Sequence, residues 1–259
     1  MKFRLFALVL LFIAAIHPAS AQTAPPKPDL IKVAIGDWPP YFGKNLPGYG
    51  IASQLITEAF AVSGIKVEYV FFPWNRSLEQ ARNGWIEATG GWSDVDNRRA
   101  DFHFSKILIT SNFVLYYPKA KPLICQSIKD LYGHKIGATL GYYYGDEFEQ
   151  AAKDKKIQVI RAATDQINLQ NLALGRLDGF VLDEIVANYM LANDLPAANA
   201  EKISTSAFSV NTDPLHLLVS RKVNNGEEII RLFDYGLETI RKNGSYDRIV
   251  KAPVIMQAK

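Results

Sequence analysis

Strand and helix alternate along this chain, and then the alternation begins again. Ile31-Lys32-Val33-Ala34-Ile35 is β-branched with alternating character and predicts a strand. A Gly-Asp-Trp-Pro-Pro-Tyr-Phe loop follows over Gly36 to Phe42. Leu55, Ile56, Ala59 and Phe60 recur at helical spacing within 52–63, and Gly64 closes that helix. Strands are predicted over 65–72 and 85–91, with a helix over 73–83 between them. Ser127-x-x-Asp130 then has the form of a helix cap, and strands are expected at 134–140, 158–162 and 177–182. Helices are expected at 146–153, after the cap Thr164, and over 184–192. A last strand, 216–220, precedes a long helix with Ile229, Phe233, Gly236, Leu237 and Ile240 on one face, stopped by Gly244. Such a pattern predicts an α/β protein with mostly parallel sheets flanked by helices.

The N-terminus has a different character. Lys2 and Arg4 precede an apolar run from Leu5 to Ile16, and Ala19-Ser20-Ala21 supplies the small residues of a cleavage site. Residues 1–21 are therefore expected to be a signal peptide cut before Gln22, with a proline-bearing leader over 22–29. Losing Lys2 and Arg4 takes the formal charge from +3 to +1, which gives no electrostatic reason to expect nucleic acid or an anionic membrane as partner. The single cysteine, Cys125, excludes an internal disulfide and a cysteine-built metal site.

Catalytic signatures are lacking. The sequence has no phosphate-binding Gly-x-x-x-x-Gly-Lys-Ser/Thr loop, no His-Glu-x-x-His pair and no Gly-x-Ser-x-Gly elbow. His103, His134 and His216 are far apart and share no metal-binding spacing. No catalytic residue, metal or cofactor is expected. Binding material is plentiful instead. Asn83-Gly84-Trp85-Ile86-Glu87-Ala88 and Leu174-Gly175-Arg176-Leu177-Asp178-Gly179 echo one another, and each leads to a polar residue at a strand end, Ser93 and Asp183. Ligands of open α/β sheets bind at the C-terminal ends of strands. Within Gly90 to Ser105, Gly91 permits close backbone approach, Ser93 offers a hydroxyl and Arg98 a planar fork suited to a carboxylate, whereas Arg99 reads as a solvated charge.

Four stretches together resemble the family 3 periplasmic solute-binding proteins, the amino-acid-binding subunits of ABC importers. Ser93 through Arg98 to Phe104-Ser105 is similar to the family's Ser-x-x-x-x-Arg and Phe-Ser/Thr. Leu131 to Gly137 resembles its Leu-x-Gly-x-x-Ile-Gly. Gly175 to Gly179 leading to Asp183 resembles its Gly-x-x-Asp-Ala/Gly strand, and Ile240 to Asp247 its C-terminal helix, Asn-Gly and aromatic. The resemblance spans about residues 30–251 and implies a two-lobed, type II periplasmic-binding-protein fold. Lobe 1 would be 30–114 plus 216–259 and lobe 2 would be 115–215, joined by crossing strands near Phe113 to Tyr117 and His216 to Ser220.

The same resemblance implies the site. Arg98 would grip a ligand carboxylate with Ser93 and the backbone N–H of Tyr143, and Asp183 would take the ammonium. Trp38, Tyr41, Trp74, Gly91 and Trp92 would form pocket walls. Val95 stands where the family has a threonine, and Tyr142-Tyr143-Tyr144 is bulky for its turn, so the side-chain pocket is reshaped. The implied partner is an inner-membrane ABC permease, served by a periplasmic monomer. Two alternatives share the scaffold: a cyclohexadienyl dehydratase-like lyase, for which Asp183 and Glu184 are the acids at hand, and a sensor that docks on a membrane receptor.

Overall fold

In the computed structural model, residues 27–252 are described. The expected signal peptide and residues 22–26 of the leader lie outside them. One nine-stranded sheet runs through the molecule. Its strands are β1 (Leu30–Ile35), β2 (Lys66–Phe71), β3 (Ala88–Ser93), β4 (Phe102–Phe104), β5 (Ile109–Pro118), β6 (Lys135–Thr139), β7 (Gln158–Ala162), β8 (Gly179–Asp183) and β9 (Ile203–Ser220). The order is β2-β1-β3-β9-β5-β8-β6-β7, with β4 also on β9.

The two flanks of this sheet are alike. β1 pairs parallel to β2 and β3, and β6 pairs parallel to β7 and β8, so each flank runs second strand, first strand, third strand. The helices that cover them are α1 (Ile51–Val62), α2 (Trp74–Arg82), α4 (Asp146–Lys153), α5 (Asp165–Ala173) and α6 (Glu184–Asn193), with short α3 (Asp96–Arg99) and α7 (Ala197–Ala200). α8 (Gly226–Lys242) and α9 (Ser245–Lys251) end the described chain. The parallel expectation holds in the flanks and fails in the middle, where β5 and β9 run antiparallel to each other and to their other neighbours.

β9 is the main departure from sequence expectation. The strand predicted over 216–220 extends back to Ile203, and it is this earlier part, 203–215, that pairs with β5. Polar residues and Pro214 hide it, and its stability comes from pairing with residues 85 to 106 positions away rather than from local pattern. Local signals elsewhere are realised. Thr164 caps α5 by accepting from the Ile167 N–H, and Ser127 and Asp130 form a reciprocal capping box.

α1 and α8 pack back to back over one flank. Phe60 and Phe233 rings lie 5.1 Å apart, both fully buried. At Gly236 the helices approach so closely that a Cβ would fall 1.8 Å from the Ala59 carbonyl oxygen. Apolar burial of this kind, at about 1.5–3 kcal/mol for each large side chain, fixes the helices against the sheet and so fixes the loops at its strand ends.

Candidate functional site

Loops at the C-terminal ends of β1, β3 and β6 meet the middle strands around a narrow cavity, with about 430 Å³ of space not filled by atoms, part of it open to solvent. Seven of the nine residues expected from sequence line it: Trp38, Trp74, Gly91, Trp92, Ser93, Arg98 and Tyr143. Tyr41 does not. It is buried behind Trp38, ring centroids 4.9 Å apart, and serves as backing. Asp183 is also outside the lining.

The cavity is walled by aromatic rings from both flanks. Trp38, in the loop after β1, meets Tyr142, in the loop after β6, edge to face at 6.1 Å. Trp74 stands 6.5 Å from Trp38 and 5.4 Å from Trp92, both near perpendicular. Its indole N–H donates to the Asp37 carbonyl at 3.1 Å, and Trp92 donates to Thr89 Oγ1 at 2.7 Å. The indole nitrogen of Trp38 is buried and makes no close hydrogen bond among the described residues, its N–H acting on the Asp165 carboxylate. Gly91 has φ +82° at the irregularity between Gly90 and Trp92, and a Cβ there would lie 2.7 Å from the Phe42 ring. Glycine is required on both counts, and the bulge is what turns Trp92 and Ser93 toward the cavity.

Arg98 sits on the one-turn helix α3 that follows Ser93, and is 8% exposed. One Nη1–H donates to the Ser93 carbonyl at 2.9 Å, and the guanidinium lies 4.8 Å over the Trp92 ring. Its remaining N–H groups have no protein acceptor among the described residues. Burial pulls its pKa down to about 10, so it stays charged at neutral pH. A buried guanidinium with free donors facing a cavity is a ready seat for an anion. The N–H of Tyr143 is likewise without a partner among the described residues, while the hydroxyl donates to Asp146 Oδ1 at 2.7 Å. That hydroxyl is pushed up to about 12, first by partial burial and then by its bond to Asp146. Arg99 is exposed and paired with Asp94 at 2.6 Å, as a solvated charge should be.

Asp183 is used by the fold itself. It is 1% exposed and caps α6, with Oδ1 accepting from the N–H groups of Ile185 and Val186 at 2.9 Å each. Oδ2 accepts from the Ser111 hydroxyl at 2.7 Å and the Asn112 N–H at 3.1 Å. A carboxylate offers about four acceptor positions, and all four are taken.

The acid that does line the cavity is Asp213, on β9, which the sequence reading passed over because its strand was hidden. Ser93 Oγ donates to Asp213 Oδ2 at 2.5 Å. Burial raises its pKa, against the lowering effects of the Ser93 bond, Arg98 and His216. Phe113, Tyr142 and Leu215 also line the space.

A second, larger hollow lies on the other side of Trp38, Trp74 and Tyr142 and contains Asp165. Asp165 is buried, accepts from Thr139 Oγ1 at 2.5 Å and Tyr142 at 3.2 Å, and burial raises its pKa to about 6. Cys125 is buried away from both spaces, its thiol pushed up to about 11 by burial and donating to the Ser127 carbonyl at 2.9 Å. No cluster of histidine, cysteine and acidic side chains able to hold a metal occurs among the described residues.

Residues 31–252 match the bacterial extracellular solute-binding proteins, family 3. The chain belongs to that family. A probable histidine-binding protein of Campylobacter jejuni is 26% identical over 208 residues, covering 78% of this chain and 75% of the relative. Among solved structures, an ancestral arginine-binding protein bound to arginine superposes with a TM-score of 0.72 at 24% identity, over 86% of this chain and 97% of the other. A histidine kinase sensor domain with similarity to periplasmic binding proteins superposes with a TM-score of 0.74 at 20% identity, over 86% and 95%. The fold is the two-lobed, type II periplasmic-binding-protein architecture.

Proposed function

We propose that the protein is a periplasmic capture subunit that takes a free amino acid between its lobes and hands it to an ABC permease. The observation that carries this is Arg98: a buried guanidinium at the family's arginine position, facing a cavity with its donors unused. In this reading lobe 1 is 30–114 plus 216–259, of which 253–259 lie outside the described residues, lobe 2 is 115–215, and closure brings Tyr142 and Tyr143 onto a ligand seated against Arg98 and the tryptophans. Binding in the micromolar range needs about −8 kcal/mol, which a bidentate arginine contact in a water-poor site and stacking on aromatic walls can supply together.

The lyase alternative has less support. Neither Asp183 nor Glu184 lines the cavity, and Asp183 has no free acceptor position for a substrate. The related proteins are named for binding.

Protein purified without refolding should carry an amino acid identifiable by mass spectrometry. After removal of that ligand, calorimetric titration with L-arginine, L-histidine, L-glutamine and L-glutamate should show binding of at least one. Arg98→Ala should weaken it by about thirtyfold to several thousandfold, the consequence of leaving a buried carboxylate unpaired. Binding of a sugar or a metal with no response to any amino acid overturns the reading.

A further inference from the structure

We propose that the ligand is an amino acid with a permanently charged basic side chain, a guanidinium or an ammonium, and that Asp165 at the start of α5 holds that charged end. The inference rests on the amino-acid reading above and names the class of side chain the site selects.

The second hollow is the place for the side chain. Trp38, Trp74 and Tyr142 line both it and the cavity at Arg98, so the same three rings wall the two spaces. A ligand whose carboxylate meets Arg98 can run its side chain along these rings toward the hollow, and ring faces suit both methylene groups and a cation. Charge decides what ends there. Asp37, Asp165 and Asp194 line the hollow, against Lys44 as its one basic residue among the described residues. Asp183 also acts electrostatically on Asp165 and adds to the negative potential.

Asp165 is the acid equipped for the contact. It is 6% exposed, and its hydrogen-bond partners are all neutral: the Thr139 hydroxyl at 2.5 Å on Oδ1, the Tyr142 hydroxyl at 3.2 Å on Oδ2, and the Trp38 N–H, which acts on the carboxylate. No ion pair joins it to a lysine or arginine among the described residues. Glu149, a more exposed acid of the same lobe, shows the usual arrangement: Arg161 meets both its oxygens at 2.8 and 3.0 Å. A buried carboxylate served by neutral donors alone is costly, and an arriving cation offsets that cost.

The donors are set in advance. Asn168 Nδ2 donates to Thr139 Oγ1 at 3.1 Å, so the Thr139 hydroxyl directs its own proton to Asp165. Asp165 is thereby held as an acceptor, with its carboxylate at the C-terminal end of β7, where ligands of such sheets bind. Tyr142 marks the route between the two spaces. Its ring lines both, and its hydroxyl makes the longer of the two printed bonds, so a cation can displace it and leave the Thr139 bond intact.

The test pairs each cation with a neutral counterpart of similar shape. Wild type stripped of ligand is titrated with L-arginine and L-citrulline, with L-lysine and L-norleucine, and with L-histidine, L-glutamine and L-glutamate. It should prefer the cation of the better-binding pair by about thirtyfold or more. In Asp165→Asn the two members of that pair should bind within about threefold of each other. A structural role for Asp165 would weaken both members together and leave the ratio as it was. Asp165→Ser, read in the same way, replaces Asp165→Asn if the latter has lost its unfolding transition. A wild type that binds citrulline or norleucine as well as the matching cation overturns the inference, and so does a preserved ratio in the folded Asp165 variant. A wild type that binds only histidine, glutamine or glutamate overturns it too, and leaves the amino-acid reading standing. Binding of none of the seven is the separate failure of the amino-acid reading itself.

Discussion

Replacing Asp165 by Asn should stabilise the protein at neutral pH, and by an amount that depends on pH. The carboxyl is buried at the start of α5, beside the second hollow, and its pKa in the fold is about 6, against 3.8 in the open chain. A folded value raised above the unfolded one means that the native state binds the proton more tightly. The group's favourable contribution is fully present below about pH 4 and is lost as pH rises through about 6. At 1.36 kcal/mol per pH unit, an ionised Asp165 costs the fold about 3 kcal/mol at pH 7.5. Two effects oppose the gain from removing it. An acid in the first turn of a helix is worth about 0.3–1 kcal/mol, and Asn must reproduce the acceptor role toward Thr139 Oγ1 and Tyr142. Desolvation is the largest influence on the group, so it should win, leaving about 1–2 kcal/mol net. For a chain of this size that raises the unfolding temperature by roughly 2–8 °C at pH 7.5. Thermal unfolding of wild type and Asp165→Asn, followed by circular dichroism at pH 4, 5, 6, 7 and 8, measures it. The advantage should vanish by pH 4. A variant less stable than wild type at pH 8, or one whose advantage grows toward acid, refutes the reasoning.

Two further outcomes follow from packing and topology. Gly236→Ala should destabilise the fold by about 1–3 kcal/mol or more, because the added methyl falls on the Ala59 carbonyl oxygen and α1 must move away from α8; chemical denaturation with the midpoint compared to wild type reads this directly. Two lobes joined through β5 and β9 should open and close as bodies, so removing bound ligand should raise the radius of gyration in small-angle scattering, and an unchanged value between stripped and saturated protein counts against a hinge.

Local chemistry carried much of this molecule. The β-branched run at Ile31, the heptad-like face of α1, the caps at Ser127 and Thr164 and the stop at Gly244 were legible because each depends on residues within a turn or two. Seven cavity residues were legible for a related reason: Ser93 and Arg98 lie on one short stretch that resembles the family's Ser-x-x-x-x-Arg, and the tryptophans are rare residues beside strand ends. What the local pattern could not contain was the course of β9. Its polar first half is a strand only because β5 lies beside it, and that pairing is decided by folding distant chain together. Asp213 became a cavity residue through that pairing alone. Asp183 went the other way. By sequence it is an acid at a strand end, equivalent to Ser93 in the internal echo, and in isolation it has the chemistry to bind a cation. Tertiary structure brought Ser111 and the Asn112 N–H to one of its oxygens and the first turn of α6 to the other, four bonds from within the chain. Sequence determined which charges the molecule possesses; long-range strand pairing decided which of them remain unsatisfied, because a hydrogen-bond partner seventy or more residues away leaves no periodicity to read.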